Sequence, residues 1–149
     1  MIWLKNFTEL SEDEIKAVYR ARMDERTARF CLTKFDFAEH CKFVDSLKSR
    51  KDKIYFMVYE GDVFIGSIYF SDFADGGAEF GLYKNPELSR VGDKLMSEIL
   101  RYAKFELGVR TLFLRVLAKN TPALRLYEKY GFTRQKEENS VIYMQKSLV

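Results

Sequence analysis

The segment from Ala78 to Leu117 does most to restrict the fold. Ala78 to Tyr83 has the composition of a strand. Val91 to Leu107 then places Val91, Leu95, Ile99, Tyr102 and Ala103 on one helical face, with Gly108 to end it. Thr111 to Leu117 is apolar and rich in β-formers, which suits a buried strand. A strand, a helix and a strand in succession imply a right-handed crossover and a locally parallel pair. Upstream, Ile54 to Tyr59 and Val63 to Phe70 flank Glu60-Gly61-Asp62 as a hairpin, and Gly76-Gly77 turns the chain into Ala78. That part is an antiparallel meander. A sheet containing both arrangements splays where its pairing changes, and a ligand can enter there.

The remaining elements follow from local signals. Ile2 to Phe7 alternates as a first strand. Ser11 with Glu14, and Asp36 with Glu39, form capping boxes for two helices. The first runs through Ile15, Val18, Tyr19 and Arg22, and the second buries Phe37, Cys41, Phe43, Val44 and Leu47. Asn120 to Phe132 supplies a further helix that leads into a strand-like segment, and Val141 to Ser147 gives the last strand. The order β-α-α-β-β-β-α-β-α-β describes an α/β chain of the α+β type: a mixed, mostly antiparallel sheet flanked by about four helices. No repeat, linker or low-complexity stretch divides it, so residues 1 to 149 are expected to form one domain.

Charge and composition exclude several functions. The 25 basic residues are interleaved with 22 acidic ones, and no basic block suits nucleic acid. No apolar run reaches the length of a signal peptide or membrane span, so a cytoplasmic protein without membrane association is expected. Cys31 and Cys41 have no second pair for a zinc site and are read as reduced thiols; no metal is expected. The 13 Phe and 9 Tyr point to an aromatic core and an aromatic-lined cleft.

Two stretches carry candidate chemistry. Lys84-Asn85-Pro86-Glu87-Leu88-Ser89-Arg90-Val91-Gly92-Asp93-Lys94 feeds a helix amino terminus, whose free amides and dipole attract anions. The second is Asn120-x-x-Ala123-x-x-x-Tyr127-x-x-x-Gly131-Phe132. Thr121 suits the N-cap and Pro122 the first helical position, so capping leaves Asn120 and Tyr127 without a role. Gly131 suits a left-handed helix end and Phe132 a buried strand start.

This spacing resembles motif B of the GCN5-related N-acetyltransferase superfamily, and the preceding loop resembles that family's motif A. In the first half, Arg22 to Arg29, Phe37 to Leu47 and Glu79 to Pro86 are similar to the bacterial sugar-nucleotide N-acetyltransferases of pseudaminic acid synthesis. Those enzymes acetylate the 4-amino group of UDP-4-amino-4,6-dideoxy-N-acetyl-β-L-altrosamine, a precursor of the sugar on flagellin. The resemblance implies the superfamily's fold and acetyl-CoA as acetyl donor. The backbone of Leu82 and Lys84 would pair with the pantetheine, and Leu88, Ser89, Arg90, Val91, Gly92, Asp93 and Lys94 would hold the pyrophosphate. Asn120 and Ala123 would flank the pantetheine arm, and Tyr127 would be the general acid toward sulfur. Arg90 departs from the family pattern, standing where a first glycine is expected.

On the acceptor side the residues leave alternatives open. Glu79 is either a base acting through water or a solvent-facing sheet glutamate. His40 is a base, a substrate contact or a structural residue. Arg29 and Tyr83 are candidates for a diphosphate and for a uracil. The acceptor is a UDP-amino-sugar or a protein amino terminus, and a non-catalytic acyl-CoA-binding module is the third reading. The chain is expected to be a monomer or a homodimer.

Overall fold

The computed structural model describes residues 1–149. In chain order the elements are β1 (Ile2–Asn6), α1 (Glu12–Met23), α2 (Glu25–Ala28), α3 (Phe37–Ser46), β2 (Lys53–Glu60), β3 (Val63–Ala74) and β4 (Gly77–Lys84). They continue with α4 (Gly92–Arg101), β5 (Thr111–Leu117), α5 (Thr121–Lys129), β6 (Thr133–Glu138) and β7 (Val141–Ser147). All strands join one sheet in the order β1-β2-β3-β4-β5-β7-β6.

Both expected capping boxes form: Ser11 and Asp36 each accept an amide from the Glu three residues on, and that Glu accepts the cap amide in return. Two expectations are corrected. The helix expected to reach Leu107 leaves α geometry after Arg101 and continues as a π-helical turn, Tyr102–Leu107, closed by left-handed Gly108. The strand-like segment expected after Phe132, which the expected order of elements leaves out, forms as a seventh strand, β6, from Thr-Arg-Gln-Lys-Glu-Glu. It is exposed throughout and carries no apolar alternation; β7 supplies the ladder that makes it a strand.

The sheet divides the core. Phe56, Val58, Ile68, Phe70 and Phe80 face α4 and α5, where Leu95, Met96, Ile99, Leu124 and Tyr127 meet them. On the opposite face Met57 packs with Phe7, Val18 of α1 and Val44 and Leu47 of α3. Leu95 and Ile99 are fully buried, and truncating either to Ala would cost about 2–5 kcal/mol.

The site is positioned by the contact between β4 and β5. Their parallel pairing covers only Gly77 with Thr111, Ala78 with Leu112 and Glu79 with Phe113. Beyond it, β4 stays paired to β3 as far as Lys84, and β5 to β7 as far as Leu117. The edges of Phe80–Lys84 and Leu114–Leu117 therefore diverge and open a wedge inside the sheet. None of the helices is long and apolar enough to cross a membrane.

Candidate active site

Two chambers of about 340 Å³ and about 240 Å³ fill the wedge. Phe30, Cys31, Leu82, Tyr83, Asn120 and Tyr127 line both, so the chambers meet at these residues. The smaller one runs on past Lys84, Ala123 and Leu126.

Tyr127 stands at the junction on α5. Its ring is 6% exposed and packs edge-on against Phe80, at 5.8 Å, and Phe132, at 6.2 Å. Burial, reinforced by nearby Tyr83, pushes its phenol well above the ordinary tyrosine range, so it keeps its proton at neutral pH. No group of the protein hydrogen-bonds its hydroxyl, which is left to donate into the cleft. The helix end beyond it fixes the ring. The Phe132 amide donates to the Tyr127 carbonyl at 3.0 Å and the Gly131 amide to Glu128 at 3.0 Å, with Gly131 at φ 89°. This is a Schellman ending, and it presses Phe132 onto Tyr127.

The reading of Asn120 is corrected. Helix α5 begins at Thr121 with Pro122 in its first turn, and Asn120 is its N-cap: Oδ1 accepts the Ala123 amide at 3.3 Å. Capping thus accounts for half of the side chain. The Nδ2 group remains free to donate, and Asn120 lines both chambers.

Glu79 lies deep in the larger chamber, 5% exposed, which removes the solvent-facing alternative. Its register partner is Phe113, so Arg115, two residues on, emerges on the same face. The Arg115 guanidinium donates to Glu79 Oε1 at 2.7 Å and Oε2 at 3.3 Å.

The loop before α4 offers a row of free donors. None of the amides from Ser89 to Lys94 donates within the protein, and the Val91 N-cap has no side-chain partner. Arg90 has φ 61°, the left-handed conformation that favours glycine, so the backbone shape of the family glycine is kept by an arginine. Gly92 packs beneath Leu126, with Lys84 beside it, which sets this helix end against the smaller chamber. Asp93 is tied to Lys129 and Tyr130, and Lys94 to Glu60, so those charges are already partnered. Leu88 and Ser89 lie on the exposed rim, and the expected row of amides is corrected at Leu88, whose N–H already donates to the Asn85 carbonyl at 3.1 Å in the loop's own turn.

A family model described as the acetyltransferase (GNAT) family matches residues 13–132. The chain belongs to that family. It is 39% identical over 145 residues to acetyltransferase PseH of Campylobacter jejuni subsp. jejuni serotype O:23/36 (strain 81-176), covering 97% of this chain and 92% of the relative. The PseH of serotype O:2 (strain ATCC 700819 / NCTC 11168) is 40% identical over the same coverage. The crystal structure of C. jejuni N-acetyltransferase PseH in complex with acetyl coenzyme A superposes with a TM-score of 0.86 over 99% of both chains, at 36% identity. A spermidine N-acetyltransferase from Vibrio cholerae, with CoA and spermine, shares the fold at a TM-score of 0.85 and 19% identity, over 99% of this chain and 95% of that one.

In this GNAT-family chain the structure distributes the acceptor-side candidates unevenly. Tyr83 lines both chambers, but Arg29 lines only the smaller one, its guanidinium 4.7 Å from the Phe30 ring. His40 lines neither. The capping box of α3 turns it inward among Tyr19, Phe35 and Phe37, and its Nε2 lies 3.3 Å from the Ile15 carbonyl. Direct substrate contact is thereby removed as a reading of His40.

Sequence reasoning missed much of the larger chamber. Tyr55 stacks on Tyr69 at 4.7 Å, and Tyr69 lies 6.3 Å from Tyr83. A side chain at Gly81 would place its Cβ 2.2 Å from the Tyr69 ring, so glycine is what allows the stack. Arg22 lies between Phe35, at 4.1 Å, and Tyr83, at 4.9 Å. Strand parity could have grouped Tyr55 with Met57 and Tyr59. It could not have told which residues of β3 and β4 stand opposite.

Proposed function

We propose that this GNAT-family enzyme moves the acetyl group of acetyl-CoA to the 4-amino group of UDP-4-amino-4,6-dideoxy-N-acetyl-β-L-altrosamine in pseudaminic acid biosynthesis, for flagellin glycosylation. The observation that carries this reading is the match to PseH over 97% of the chain, which includes the amino-terminal half that walls the larger chamber.

The residues suit that chemistry. The free edge at Leu82 and Lys84 can pair with pantetheine amides as if with a further strand. Asn120 Nδ2 donates toward the same arm, and Ala123 keeps the α5 face narrow beside it. The amides of Ser89 to Lys94, strengthened by the α4 dipole and the Arg90 charge, suit a pyrophosphate. The reacting carbonyl then belongs at the junction, within reach of the Tyr127 hydroxyl. The acceptor amine, presented from the larger chamber, must lose its proton before attack; Glu79, an ion-paired carboxylate in that chamber, can take it through water. Tyr127 delivers a proton to sulfur as the C–S bond breaks. Walls of Tyr55, Tyr69 and Tyr83, with Arg22, Lys53 and Arg115 around them, suit a sugar nucleotide better than an extended peptide.

The test is to mix the purified protein with acetyl-CoA and either the UDP-4-amino-sugar or peptide amino termini, and to follow thiol release. Turnover of the nucleotide sugar is expected. Turnover of peptides alone would overturn the acceptor.

A further inference from the structure

Behind the Arg22 wall of the larger chamber lies a small space of about 20 Å³, bordered by His40, Arg22, Ser67, Tyr55 and Tyr83 among apolar side chains. Two polar atoms of the molecule are buried without a protein partner, His40 Nδ1 and Arg22 Nε, and both residues border this one space. Their chemistry is complementary. A carbonyl only accepts, so the contact of His40 Nε2 with the Ile15 oxygen places the ring proton on Nε2 and leaves Nδ1 a lone-pair acceptor. Burial pushes the imidazole below its ordinary range, which keeps it in that neutral form. Arg22 Nε–H is a donor. The space holds one water by volume, and a water there would have the two or more polar partners it needs.

We propose that a buried water links Arg22 to His40, accepting from Arg22 Nε and donating to His40 Nδ1, and that His40 is thereby a positioning residue for the acceptor chamber. Ser67, 8% exposed on the same border, is the partner for the second water proton. The guanidinium is then held at both faces, at one terminal nitrogen and at Nε. Phe35 and Tyr83 hold its faces, the Thr33 carbonyl and hydroxyl take one terminal nitrogen at 3.3 and 3.2 Å, and the water takes Nε. Leaving both buried groups unmet would cost more than immobilising one water. His40 thus acts on the acceptor without touching it.

The functional part rests on the acceptor reading above, but the water does not. A crystal structure of the acceptor-free protein at high resolution should show density within hydrogen-bonding distance of both atoms; an empty space there overturns the inference whatever the acceptor is. In steady-state kinetics with the nucleotide sugar, His40→Leu should raise the acceptor KM about tenfold and leave the acetyl-CoA KM unchanged. His40→Asn, whose Oδ1 can take the place of Nδ1, should return it to within about threefold of wild type. Arg22→Lys removes Nε, so adding His40→Leu to it should change the acceptor KM no further. Additive losses, or an equal rise in both KM values, would overturn the positioning role.

Discussion

The two chambers are made of different materials. The smaller one is bordered by the open edge of β4 and the first turn of α5, and the free main-chain amides before α4 lie just beyond its Lys84 and Leu126. The larger one presents side chains held by other side chains: three tyrosines, an arginine between two rings, and a glutamate gripped by Arg115. Main-chain donors read features shared by every molecule with the same arm, whereas packed side chains read one acceptor. The two sides can therefore change independently, and local sequence reports the first far better than the second.

The strongest test of this division lies at the junction. Tyr127→Phe should lower kcat by about 10²–10⁴ and move neither KM much, because the phenol serves the reaction rather than either chamber. An unchanged rate would remove Tyr127 from the chemistry. On the acceptor side, Gly81→Ala sets a Cβ against the Tyr69 ring; a loss of about 1–3 kcal/mol in stability is expected from overpacking, together with an acceptor KM at least about tenfold higher. The acetyl-CoA KM should hold. If both rise, the chambers are not separable.

On the donor side, Arg90→Gly relieves a left-handed non-glycine residue by about 1 kcal/mol and should raise Tm by about 2–4 °C. Loss of one exposed charge should raise the acetyl-CoA KM by about two- to fivefold and leave the acceptor KM unmoved. The smallest effect lies outside both chambers. Burial tends to raise the Glu14 carboxyl, but Lys5, the Ser11 amide and Tyr59 outweigh it and hold it at about 2, against 4.5 when free. A depressed folded pKa gives stability that is complete above pH 4.5 and disappears as the pH falls toward 2. In an acid titration of thermal stability, Glu14→Gln should flatten that limb and leave both KM values as they were.

Legibility in the sequence follows the same line. The crossover between Ala78 and Leu117, the Gly61 hairpin and both capping boxes are local patterns, and each stands where the pattern places it. Strand β6 has no apolar residue to announce it, and only its partner makes it a strand. The sequence does not single out Asn120 as the cap, because Thr121 beside it is an equally good cap by type; the chain begins the helix one residue earlier. Glu79 needs the register of β4 against β5 to reveal Arg115, and His40 needs the packing of α3 against α1. Neither is written in a local period.

The opening between β4 and β5 has one more consequence. A sheet normally has two outer borders, and here both carry charge, Lys5 on β1 and Arg134, Lys136, Glu137 and Glu138 on β6, which discourages pairing with another molecule of the same kind. This sheet has a third border, recessed between Phe30–Leu32 on one side and α5 on the other. An incoming polypeptide strand brings side chains on both faces and would collide with those walls, while a slender thread of amides would not. The recessed border therefore suits a thin ligand better than a further strand of protein.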